Sequence, residues 1–196
     1  KFMETTKIIA AALLLFTGIG AQAQEMENEP KGKAIVQIYT NFHSGFGVVN
    51  DDRGFELDRS YLGYEYNFGK GVSVKGVLDI GQSSSVNDYN HIAYIKNALV
   101  SWNSGHMTLN AGLIGTTQFS YQEKFWGYRY IMKSFQDEYK FGSSADLGIS
   151  ATYKFADWLS ADAIIVNGEG YKKVQKNDGL NYGLGTTFTP AKGLQI

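Results

Sequence analysis

The stretch Ala145–Phe155, which reads ADLGISATYKF, decides the fold. Ala145, Leu147, Ile149, Ala151, Tyr153 and Phe155 are apolar, and Asp146, Gly148, Ser150, Thr152 and Lys154 stand between them. A helix, with its period of about 3.6 residues, would lose this alternation within a turn. A β-strand keeps it, because successive side chains point to opposite faces. The segment therefore predicts a strand with one apolar and one polar face.

The same period recurs outward in both directions. Leu180, Tyr182, Leu184 and Phe188, with Thr186 among them, oppose Asn181, Gly183, Gly185 and Thr187. Leu62, Tyr64, Tyr66 and Phe68 alternate with Arg59, Tyr61, Gly63, Glu65 and Asn67, and Val72, Val74, Leu78 and Ile80 alternate with Ser73, Lys75 and Asp79. Strands are expected over 34–46, 55–68, 72–83, 93–103, 106–118, 144–156, 159–167 and 179–189, with another starting at Leu194. Short turns at Gly69-Lys70-Gly71, Ser104-Gly105, Ala156-Asp157-Trp158 and Thr189–Gly193 alternate with longer connections at 47–54, 84–92, 119–143 and 168–178. Short turns on one side and long loops on the other characterise transmembrane β-barrels. Phe68, Trp102, Phe155, Trp158 and Phe188 all lie in or beside a short turn, where a barrel places its aromatic girdle. A secreted soluble sandwich explains the alternation, but neither the loop lengths nor the aromatic placement. The fold class is all-β, an antiparallel up-and-down transmembrane barrel.

Composition agrees. The 196 residues include 23 Gly, 13 Tyr, 12 Phe and only 2 Pro, a balance suited to long strands. Lys plus Arg number 18 and Asp plus Glu 19, so the net charge of -1 lacks the basic surplus that nucleic acid requires. With no Cys, a disulfide framework, a thiolate zinc site, a Cys nucleophile and a lipidated-cysteine anchor are all excluded. Lys7, the apolar run Ile8–Phe16 and the small residues Ala21-Gln22-Ala23 read as a secretory signal peptide over 1–23. Residues 24–33 are then a polar mature N-terminus.

Several stretches together resemble a known family. Gly54–Gly63, GFELDRSYLG, is similar to the G-F-x-L-R-R-x-x-L-G strand of the phosphate-selective porin O and P family. Leu109–Gly112 followed by Gln118-Phe119-Ser120, then Asp146–Ser150, then Val166–Gly170 resemble three further motifs of that family in order. The resemblance implies an outer-membrane porin of about sixteen strands, a homotrimer, passing small hydrophilic solutes or ions passively. Anions such as phosphate are among the candidate solutes. It covers the amino-terminal part of the pattern, and Gly193–Ile196 read as a strand just beginning. Residues 34–196 are therefore expected to be the amino-terminal half of the barrel, with about eight of its strands. The chain departs from the family at Asp58, where an Arg is usual, and at Leu113–Thr117, where the family carries a Lys. Phosphate selectivity is therefore not carried over.

With the apolar set toward lipid, Arg59, Glu65, Lys75, Asp79, Asp146, Lys154 and Asp162 face the lumen as pore-lining candidates. Their mixed sign predicts weak selectivity, since anion pores are ringed by Arg and Lys. The aromatic-rich connection 119–143 is long enough to be functional. One expectation is that it narrows the pore, with Lys124, Arg129, Lys133 and Lys140 as a positive rim opposed by Glu123, Asp137 and Glu138; the other is an external lid at the mouth. No catalytic residues, metal ligands or cofactors are expected. His43, His91 and His106 form no zinc motif, and no nucleophile elbow or P-loop occurs. The alternative architecture is a small closed eight-stranded barrel with a structural or binding role. A lipid-hydrolysing barrel enzyme ranks behind both.

Overall fold

In the computed structural model, residues 31–45, 53–83, 87–192 and 194–195 are described. The expected signal peptide, the tip of the connection near residue 50 and the tip of the one near residue 85 lie outside these residues. Eight strands form one sheet: β1 (Lys31–Ser44), β2 (Arg53–Gly69), β3 (Val72–Ser83), β4 (Asn87–Asn103), β5 (Met107–Gly115), β6 (Ala145–Ala156), β7 (Leu159–Val166) and β8 (Asn181–Phe188). Each strand pairs antiparallel with the next, in simple up-and-down order. Among the described residues β1 and β8 are each paired on one side only, so the sheet is open.

The register builds two faces. Gly32, Tyr66, Val74, Val100, Ala111, Ile149, Ile165 and Tyr182 are successive Cα partners, an almost wholly apolar row crossing all eight strands. One residue along, on the other face, runs Asn67, Ser73, Ser101, Asn110, Ser150, Ile164 and Gly183. The apolar row is uncovered: Val100 is 51% exposed, Ile149 55% and Tyr182 73%. Leu62, Leu78, Ile95 and Leu147 are also exposed, so the face presents a contiguous apolar surface of the kind that marks an interaction site.

Bulges shape both ends. Phe68 and Phe155 are the unpaired residues where register slips beside two short turns. Each packs edge-on against the tyrosine two residues earlier, with ring centroids 4.9 Å apart at Tyr66–Phe68 and Tyr153–Phe155. The β2–β3 turn holds Lys70 at φ 52° and Gly71 at φ 78°, and a Cβ on Gly71 would run into the Asn103 carbonyl. Towards the long-connection end, Asp58 in β2 and Lys96 in β4 are skipped by the pairing.

Four boundaries differ from the sequence reading. β1 starts at Lys31, within the expected polar N-terminus. β4 starts at Asn87 rather than 93, so His91 lies in a strand and not in a long loop. Backbone pairing with β3 overrides the polar, turn-like character of Asn87–Asn90. β5 stops at Gly115, because Thr116 begins a turn into α1 (Thr117–Trp126); a short α2 (Phe135–Glu138) follows in the same connector. Leu194 makes an isolated bridge back to Ala191 within a turn instead of opening a strand.

Candidate functional site

The candidate site is the polar face together with the two connectors that lie on it. The first runs from β5 to β6 and carries α1 and α2. Tyr121 of α1 accepts a hydrogen bond from the Thr187 hydroxyl of β8 at 2.9 Å. Glu123 and Arg129 of the same connector act electrostatically on Tyr39 of β1. In a flat sheet, seven steps of ~4.8 Å would hold β1 and β8 ~34 Å apart. One helix about 10–12 Å across cannot reach both. The sheet therefore curls around its polar face, and the connector lies in the hollow. Phe119 is buried beneath α1, and a groove of about 670 Å³ lies between α1 and β6–β8, lined in part by Tyr121, Phe141, Asp146, Asp162 and Thr187.

The second connector, 167–180, joins β7 to β8. Asp146 anchors its start. This buried carboxylate accepts backbone N–H bonds from Leu147 at 2.8 Å, Gly168 at 2.8 Å and Gly170 at 3.1 Å. Gly170 has φ 83°, and a Cβ there would sit 2.5 Å from Ser143 Oγ, so only glycine fits. Tyr171 N–H then donates to the Ala145 carbonyl at 3.0 Å. From there the Tyr171 side chain reaches across the hollow, and its hydroxyl donates to the carboxylate of Asp79 in β3.

Asp79 is 1% exposed and is also paired with Arg59 Nε at 3.3 Å. Tyr61 stands beside them, accepting from Arg59 at 3.4 Å and from Lys96 at 2.9 Å. The Lys96 ammonium lies 4.1 Å from the Tyr61 ring centroid, and Lys172 lies 4.9 Å from that of Tyr94. Burial, then the hydrogen bond to Asp79, pushes the Tyr171 hydroxyl above its ordinary value, so it stays a neutral donor.

The sequence-predicted residues divide into groups. Arg59 and Asp79 meet directly. Glu65 and Lys75 are Cα partners in adjacent strands of the same face. Asp146 organises a connector, and Asp162 lines the groove. Lys154 is at the short-turn end, paired with Asp157 at 2.6 Å. Among the connector cations Arg129 is paired with Asp137 at 3.3 Å and Glu123 at 3.9 Å, and Lys124, Lys133 and Lys140 are exposed. Lys96, Tyr171 and Lys172 belong to the site and were missed. Lys96 did leave a signal: Lys96-Asn97 are two adjacent polar residues interrupting a strict alternation, as a bulge requires. Tyr171 sits in irregular chain with no periodicity to read.

His43 Nδ1 lies 3.3 Å from Asn41 Oδ1, and His91 Nε2 lies 2.9 Å from the Leu57 carbonyl. Among the described residues no His, Cys, Asp or Glu cluster has the makings of a metal site. No protein-family model, no curated protein and no solved structure matches the chain.

Proposed function

We propose that this chain forms part of a transmembrane β-barrel porin of the outer membrane, through which small hydrophilic solutes or ions diffuse passively. The observation that carries the reading is the uncovered apolar row crossing all eight strands, backed by a polar row one residue away. In water that face would drive aggregation; against lipid it is the expected outer wall. The aromatics at the short-turn end suit a headgroup girdle, and their partners at that end are in place: Trp158 packs against Phe188 with centroids 5.4 Å apart.

The free edges of β1 and β8 cannot stand in lipid, where unpaired backbone groups go unsatisfied. A sheet of about sixteen strands would satisfy them, in line with the porin O and P resemblance, which also suggests a homotrimer. The small closed eight-stranded barrel fits less well, because its interior admits little beyond its own side chains, and here a connector containing two helices occupies the hollow. Charges of both signs line that hollow, and some are paired, as at Arg59–Asp79 and Arg129–Asp137, so weak ion preference is expected. Phosphate selectivity is not part of the proposal.

Planar-bilayer recording on the full protein tests the function. Stepwise single-channel currents are expected, and removal of 122–138 should raise the unit conductance. Absence of any current would overturn the porin reading. Currents unaltered by the deletion would remove this connector as the constriction.

A further inference from the structure

We propose that Asp79 is a positioning residue that straps the 167–180 connector across the polar face, making it a second constriction separate from the α1–α2 connector. As a statement about a pore it rests on the porin reading; as a statement about the strap it does not. The start of the connector, residues 168–171, is held by two carboxylates from different strands. Asp146 in β6 binds its start through the N–H groups of Gly168 and Gly170. Asp79 in β3 receives the Tyr171 hydroxyl from the far side of the hollow. These strands are three steps apart in the sheet, and Tyr171 bridges them, its backbone N–H on the Ala145 carbonyl of β6 and its hydroxyl on Asp79 of β3.

Asp79 is suited to this role. Its carboxylate is buried and oriented by Arg59, leaving one oxygen for the Tyr171 hydroxyl. The latch also places two cations: Lys172 over Tyr94 at 4.9 Å, and Lys96 beneath the Tyr171 ring at 5.9 Å. Lys96 is the bulge residue of β4, so the extra residue gives the strap a charged seat. Within the strap, Asn177 donates to Glu169 at 2.8 Å and accepts from the Gly179 N–H at 2.7 Å, which keeps the segment compact after it leaves the latch.

Tyr171→Phe removes the hydroxyl and keeps the ring. Loss of one hydrogen bond to a charged acceptor shifts an opening equilibrium about ten- to a hundred-fold. Two readouts are used on the full protein in lipid vesicles and planar bilayers. A cysteine at Lys96→Cys, the sole thiol of the chain, reports cover by the strap through its rate of reaction with a charged thiol reagent. With Tyr171→Phe added, that rate should rise about tenfold or more, and unit conductance should rise in the Tyr171→Phe channel. Asp79→Asn should move both readouts the same way, while Lys70→Gln, an exposed charge in the short β2–β3 turn, should move neither. An unchanged labelling rate in both latch variants overturns the strap. If the unaltered protein conducts no current, the porin reading falls, and the labelling rates still decide the strap.

Discussion

The two faces of this sheet are made by alternate residues of the same strands, yet they obey different rules. On the apolar face, Val74, Val100, Ala111, Ile149 and Ile165 form a row with no partner group above it. On the polar face, one residue away, the buried carboxylates are fully engaged: Asp146 takes three N–H bonds and Asp79 takes Arg59 and Tyr171. The difference teaches that parity, not composition, sets the tolerance of a position.

The sharpest way to break that comparison is to put the same residue on each face. Ile149→Arg should cost about 2–4 kcal/mol of folding stability in lipid, as for a charge at midplane, and Ser150→Arg should cost little. Urea titration of vesicle-inserted protein measures both; equal costs would dissolve the distinction. Next in size is the anchor on the polar face. Asp146→Ala strands the N–H groups of Gly168 and Gly170, for about 2 kcal/mol, while Asp146→Asn should cost less. Faster proteolysis within 167–180 would accompany the loss. A smaller effect is expected at the short-turn end of the apolar face. Trp158→Ala removes an edge-on contact with Phe188 worth about 1 kcal/mol, read by the same titration.

The smallest concerns pH. The hydrogen bond from Lys154, then its charge, holds the Asp157 carboxyl below its ordinary 3.8. A depressed folded-state value means stability that is present above the unfolded value and is lost as pH falls through the folded one. The exposed pair should therefore weaken only below about pH 4, slightly, and Lys154→Gln should abolish the dependence. An unfolding midpoint that falls with acid equally in both proteins would assign the effect to other carboxylates.

Most of the sheet was legible because alternation with period two is a local signal. It placed Arg59, Glu65, Lys75, Asp79, Asp146, Lys154 and Asp162 on one face, and the paired strands keep them there. It failed where geometry is not local. The bulge at Lys96 shows only as a paired polar step, and the early start of β4 rests on hydrogen bonds to β3. Helix α1 was hidden in an aromatic-rich segment without a clean apolar stripe, TQFSYQEKFW, whose fixing contacts come from β8 and β1. The latch joins residues 92 positions apart, and no spacing rule links Tyr171 to Asp79. Lys124, Lys133 and Lys140 were grouped by sequence proximity alone, and all three are exposed.

The central claim is that the apolar face meets lipid and the polar face does not. The chain's three tryptophans divide for this test: Trp102 and Trp158 lie at the short-turn end of the apolar face, and Trp126 lies in the connector, its indole N–H bonded to the Met132 carbonyl at 2.9 Å. Single-tryptophan variants in vesicles with brominated acyl chains give the most direct measurement. Strong quenching of Trp102 and Trp158 near headgroup depth, with Trp126 unquenched, is the predicted result. Equal quenching of all three, or quenching of Trp126 alone, would contradict it.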